Sequence, residues 1–213
     1  MAYDFTTANS QFLTTGSTPI TSEPLTIAVW FNRKNTSAQH AIVGVDRGTQ
    51  AGNGFHAIVC PPTTSTINAV SNDGTASAAL STATYTLNTW NHGCGVFSSS
   101  NNRSIYLNGF QDNTSTTNRN VILLSNISIG ARYAGGIIGA TASCLIAEVG
   151  IWNIALTAAE IASLAKGMTC DKVRPGSLVF YAPLVRDLQD VRGGLTITNN
   201  NTATVANHPR VYA

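Results

Sequence analysis

Ten carboxylates are the first place to look for chemistry, and their spacing argues against it. A retaining glycosidase holds two carboxyls about 5 Å apart, which alternate positions of one strand supply. Here no two of Asp4, Glu23, Asp46, Asp73, Asp112, Glu148, Glu160, Asp171, Asp187 and Asp190 are two residues apart. Only Asp187 and Asp190 fall close together, in a loop-like stretch. Acids from different strands can still meet in space, so glycoside hydrolysis is kept as the remotest of three readings. Nucleophilic catalysis finds no support either. There is no Gly-x-Ser-x-Gly elbow. In His92-Gly93-Cys94-Gly95, strand alternation puts His92 and Cys94 on one face of an apolar strand, which predicts a buried imidazole bonded to backbone. Cys60, Cys94, Cys144 and Cys170 have no metal-ligand spacing and read as free thiols.

The elements that must position any site are short strands. The chain has 213 residues and only 10% of them are charged. Thr, Ser and Asn fill the gap, and these residues favour strands and turns over helices. A net charge of +2 with scattered Lys and Arg excludes an electrostatic nucleic-acid surface. No apolar run is long enough for a membrane span, and the start, Met1-Ala2-Tyr3-Asp4-Phe5, lacks the features of an export signal. Alternating segments at Leu25–Phe31, Ala41–Val45, Gly54–Cys60, Trp90–Phe97 and Cys144–Trp152 read as strands. Asn72-Asp73-Gly74 and Asn108-Gly109 mark hairpins. Val121–Leu124, Ile127–Ile129, Leu178–Ala182 and Leu195–Thr198 add further strands, and 130–136 reads as a flexible glycine-rich loop.

One helix is predicted, from about Ala158 to Lys166. Thr157 and Glu160 form a capping box, Leu156 and Ile161 a hydrophobic staple, and Gly167 ends it. About a dozen strands and one helix predict an all-β chain, an antiparallel β-sandwich forming a single domain over residues 1–213.

Several segments together resemble the laminin-G-like, concanavalin-A-like lectin-glucanase superfamily. They are Leu25-Thr26-Ile27-Ala28-Val29-Trp30, Trp90-Asn91-His92, Tyr106-Leu107-Asn108-Gly109, Ile129-Gly130, and Ile146–Asn153 followed by Leu156–Ile161. The resemblance covers about residues 12 to 165 and implies a jelly roll with the helix after the strand ending near Trp152. It makes Trp30, Trp90 and Trp152 core residues and His92 structural. Two departures stand out. Ala147 replaces an Asp common in the family. Residues 178–213, which look like the segment that usually opens such a domain, here close the chain; a permuted order predicts that 178–199 pair near the N-terminal strands.

The resemblance also implies ligands. Many relatives bind calcium in a loop at the sandwich edge, which makes Asp46 and Asn53 the candidate metal ligands and calcium the candidate cofactor. Glycan contact in such folds uses an aromatic ring with convergent amide, carboxylate and Arg groups, which points to Arg132 and Tyr133, and after them His56 and Asn72. The leading expectation is a non-catalytic lectin-like adhesion module of a phage virion, in head decoration or fibre. It would be assembled in the host cytoplasm and displayed on the outside of the particle. Its partners would be a glycan or host surface, other virion proteins and a homo-oligomer, with no nucleic acid and no membrane insertion. A capsid cement protein without a sugar site is the alternative.

Overall fold

The computed structural model describes residues 1–212. Two antiparallel sheets face each other. One runs in the order Phe110–Ser115, Asn102–Leu107, Asn91–Ser99, Leu25–Arg33, Cys144–Trp152, Ala2–Phe5, Thr204–Ala206, with Leu178–Ala182 also paired to Cys144–Trp152. The other runs Thr198–Asn200, Phe12–Thr14, Asn126–Ile129, His40–Asp46, Gly54–Cys60, Asn68–Asp73, Ala76–Leu80. Between them lies the main core, with Phe5, Leu13, Ile27, Phe31, Ile58, Phe97, Ile146 and Phe180 among its residues.

The central strands are buried along nearly their whole length because each sheet is also covered on its outer face. Over the eight-stranded sheet lie the helix Ala158–Ala165 and the segment after it. Leu156, Ile161 and Leu164 pack there on Ala28, Cys94, Tyr106 and Trp152. The capping box is formed: Thr157 Oγ1 accepts from the Glu160 amide and Glu160 Oε2 accepts from the Thr157 amide at 2.8 Å. Lys166 is the C-cap and Gly167, at φ +100°, ends the helix. Trp152 is fully buried and donates from Nε1 to Val173 O at 2.8 Å. Trp30 and Trp90 are only half-buried, against the expectation of core positions: Trp30 lies at the outer face beside His92, outside the cluster that packs under the helix.

The C-terminal segment completes both sheets. Thr198–Asn200 pairs with Phe12–Thr14, and Thr204–Ala206 with Ala2–Phe5. Leu178–Ala182 takes the second half of Cys144–Trp152, whose first half belongs to Ala2–Phe5. Where the strand changes partner it bulges, and Glu148 sits there at φ +52°. Its buried carboxylate accepts from Tyr181 Oη at 2.5 Å and contacts His208 Nε2 at 3.1 Å, both from the closing segment.

Two local expectations differ. Residues 121–124 are not a strand: Leu123 adopts φ +59° and the Ile122 carbonyl is taken by Arg47 Nε. Residues 130–136 are not simply a flexible loop: Arg132–Ala134 and Ile137–Gly139 form a hairpin. Gly135 and Gly136, both at positive φ, supply the turn that a two-residue connection demands.

Candidate functional site

The hairpin Arg132–Gly139 lies over the outer face of the seven-stranded sheet. Strand alternation there turns Phe55, Ala57 and Val59 outward, and they pack with Ala41, Val70 and Ala134 in a small apolar cluster under the hairpin. The hairpin is pinned by polar contacts. Tyr133 N–H donates to Asp46 Oδ2 at 3.0 Å, Gly48 N–H to the Tyr133 carbonyl at 3.0 Å, and Gly136 N–H to the Gly48 carbonyl at 2.9 Å.

Asp46 is the anchor of this arrangement. It is fully buried, and Oδ1 accepts from Gly48 N–H (3.1 Å) and Asn126 Nδ2 (2.8 Å). Oδ2 accepts from Ser128 Oγ (2.5 Å) as well as Tyr133 N–H. Burial pushes its pKa up to about 6, against the pull of these four donors. A carboxylate offers about four lone-pair sites, and all four face protein donors. Calcium needs six or more oxygens, carboxylates prominent among them. Asp46 and Asn53 therefore do not fit the expected ion: the carboxylate is committed inward, and among the described residues no group of three or more His, Cys, Asp or Glu forms a metal shell.

Two clefts open beside the hairpin. One, of about 330 Å³, is lined by Gly52, Asn53, Arg132, Ala134, Gly135 and Ile137. The other, of about 380 Å³, is lined by Thr7, Ala38, Gln39, Arg132, Ala140 and Thr141. Arg132 borders both. Its guanidinium carbon lies 5.2 Å from the centroid of the Phe55 ring, a cation–π distance. Across the hairpin it faces Gly139, where an added Cβ would come within 2.9 Å of Nη2. Arg132 Nε is buried without a hydrogen-bond partner. Arg47 holds the neighbouring loop by donating to the carbonyls of Ile122 and Ala51.

The structure brings Arg132 and Asn53 to one cleft, and Tyr133 lines neither of the two. Tyr133 is half-buried, its ring 6.2 Å from that of Phe12. His56 and Asn72 do not belong there, which corrects the expectation for both. His56 is fully buried on the inner side of its strand, with its ring 4.7 Å from Phe97. Asn72 is buried too, and its Oδ1 accepts from Gly74 N–H at 2.7 Å, serving the turn. Phe55, the platform for Arg132, was not singled out from the sequence. Reading Gly135-Gly136 as a hairpin turn would have laid Arg132 over a neighbouring strand and drawn attention to it.

Two other constellations have the outline of catalytic groups. Ser71 Oγ lies 2.9 Å from His56 Nδ1, and His56 Nε2 lies 3.1 Å from Glu23 Oε1. Ser71 is only 1% exposed, so no substrate reaches the hydroxyl. The trio is a cross-strand polar contact, and burial above all lowers the His56 pKa. His92 is buried as expected, and burial lowers its pKa to about 3; Nδ1, however, has no partner, so the anticipated backbone bond is not formed there. Asp190, of the only close pair of acids, is buried and accepts from the amides of Tyr181, Arg192, Gly193 and Leu195. Its partner Asp187 is exposed. All four cysteines are free and buried.

A family model described as the concanavalin A-like lectin/glucanases superfamily matches residues 7–162. No curated protein matches the chain. Among solved structures, the native heptameric SAP-like pentraxin of Limulus polyphemus is 15% identical, with a TM-score of 0.70 over 97% of this chain and 94% of that one. A carbohydrate-binding candidate from Bacteroides ovatus is 17% identical, with a TM-score of 0.70 over 100% of this chain and 61% of that one. The CBM40 module of the Ruminococcus gnavus IT-sialidase, bound to α2,3 sialyllactose, is 12% identical, with a TM-score of 0.53 over 68% of this chain and 84% of that one. At these identities the likeness is one of fold.

Proposed function

The chain belongs to the concanavalin A-like lectin/glucanase superfamily, and we propose that it is a non-catalytic carbohydrate-binding module whose site is the pair of clefts that share Arg132. One observation carries this reading. A cation without a protein acceptor on its buried Nε stands on an aromatic ring between two clefts, and Asn53, Gln39, Thr7 and Thr141 border them. Such sites hold a ligand by an apolar platform and a few placed polar groups. The similar structures named for carbohydrate binding support the same class. Three of the acids are no help to hydrolysis: Asp46, Glu148 and Asp190 spend their carboxylates on internal donors and are not free to act as acid and nucleophile.

The sparse charge and hydroxyl-rich surface support placing the module on a phage particle, where it would meet host glycans. A glycan array read with the purified chain tests the function. Binding that Arg132→Met abolishes without lowering the melting temperature is the expected result; no binding to any glycan would remove the reading. Gold-labelled copies on particles test the setting, since an unbroken lattice of copies against the shell would favour a cement role instead.

A further inference from the structure

We infer that the ligand of the Arg132 clefts carries a carboxylate, making it an acidic glycan rather than a neutral one. The inference rests on the carbohydrate reading and adds the chemical class.

The other arginines show how this fold treats a guanidinium it uses for itself. Arg33 donates from all three of its nitrogens, Arg47 closes on two carbonyls, Arg103 on two carbonyls and a hydroxyl, and Arg174 pairs with Glu160. Arg132 belongs to none of the ion pairs among the described residues. Its Nε is buried without an acceptor, as are those of Arg103 and Arg119; what sets Arg132 apart from Arg103 is that its outer nitrogens, which border the clefts, donate to no protein acceptor among the described residues. The carboxylate anchored to the same hairpin, Asp46, is saturated by four donors and has no lone pair to lend.

Geometry then selects the partner. The guanidinium lies between the Phe55 ring on one side and Gly139 on the other, which limits where its outer donors can aim. A planar fork of N–H groups matches a two-oxygen anion through parallel hydrogen bonds. The remaining lining side chains with polar groups, Asn53, Gln39, Thr7 and Thr141, are neutral and suit sugar hydroxyls. No acid lines either cleft to repel the ligand.

Matched probes test this. Titrations would compare oligogalacturonate with neutral galactan oligomers, and sialyllactose with lactose, with a sulfated galactan as a third kind of anion. At least one acidic member should bind ten-fold or more tighter than its neutral partner. Arg132→Gln should remove that preference, and Arg132→Lys should recover only part of it. Lys172→Gln, on the opposite face of the sandwich, should leave it intact despite the overall charge of +2. Equal binding of acidic and neutral probes would overturn the inference and leave the carbohydrate reading standing. An acidic preference that survives Arg132→Gln, or a preference for sulfate over every carboxylate, would also overturn it. Binding to no probe, charged or neutral, would sink the carbohydrate reading beneath it.

Discussion

Arg33 and Arg132 are two arginines on strands of one sandwich, treated in opposite ways. Arg33 is fully buried and saturated. Nε donates to His40 Nδ1 at 3.1 Å, Nη1 to Thr64 O and Tyr85 Oη at 2.8 Å, and Nη2 to Ala38 O at 2.8 Å and Pro61 O at 2.9 Å. Burial and the neighbouring cation push the His40 pKa down to about 4, so the ring stays neutral and Nδ1 is free to accept. The cation is a staple that ties three connecting segments together at one end of the sheets. Arg132 ties nothing: its surroundings limit its aim and leave its donors unused. The difference separates groups that the fold spends on itself from groups it holds ready. It is also why the saturated Asp46 and Asp190, and the fully buried His56, are poor site candidates despite their chemistry.

The largest effect should come from the staple. Arg33→Met leaves three carbonyls at the half-buried rim and two buried side-chain groups, His40 Nδ1 and Tyr85 Oη, without their donor. The expected loss is about 4 kcal/mol of unfolding free energy, since each stranded buried group costs roughly 1–3 kcal/mol. Urea denaturation measures it. A loss below about 1 kcal/mol would mean that water replaces the guanidinium easily, and the contrast with Arg132 would collapse.

Asp46 links the two regimes, because a saturated group holds the unsaturated one in place. Asp46→Ala strands the Tyr133 amide and Asn126 Nδ2, and should cost about 3 kcal/mol. It should also loosen the hairpin. Faster hydrogen exchange at the Tyr133 amide and weaker glycan binding are both expected. Normal exchange at Tyr133 would show that the apolar cluster under the hairpin suffices to hold it.

The same residue predicts a pH dependence. Asp46 has a pKa of about 6 when folded against 3.8 as its ordinary value. Between those values the folded chain still holds the proton that the unfolded chain has released. Stability from this group therefore falls as pH rises through that window, then stays level above about pH 6. Two units correspond to roughly 3 kcal/mol. Glu160 and Asp171, whose pKa values are lowered by hydrogen bonds and nearby cations that outweigh desolvation, tilt the profile the other way at lower pH. The difference between the chain and its Asp46→Asn variant, measured from pH 4 to pH 7, isolates the anchor. A difference that does not change with pH would show that Asp46 titrates normally.

What the sequence made legible follows the range of the interactions. The capped and stapled helix, the Asn108-Gly109 turn and the half-strand alternations are set by residues a few positions apart, and they stand where expected. The fold class was readable from these local signals taken in order. The site was readable only in part. Arg132 and Asn53 come together while Tyr133 stays outside the clefts, and whether a polar side chain is spent or spare depends on register across strands. The pairing of His56 with Ser71 spans 15 residues, and the reach of Asn126 and Ser128 to Asp46 spans 80 and 82. No local pattern announces them. Asp46 therefore looks like a metal ligand in the sequence and is a hairpin anchor in the fold.

The finest probe of the comparison is Gly139. A methyl group there would lie 2.9 Å from Nη2 of Arg132, and the flexible end of the arginine can give way at little cost. Gly139 is not at positive φ, so Gly139→Ala brings no backbone strain and should change stability by less than about 1 kcal/mol. It should nevertheless weaken binding of an acidic probe several-fold, because a bidentate contact depends on the plane and position of the guanidinium. Gly136→Ala gives the converse: its φ of +75° makes the change costly by roughly 1–2 kcal/mol without a contact to Arg132. If stability and affinity fell together in both variants, the hairpin would act as one unit and Arg132 would be another of the fold's own fastenings. If they separate, the guanidinium is held in place for a partner from outside.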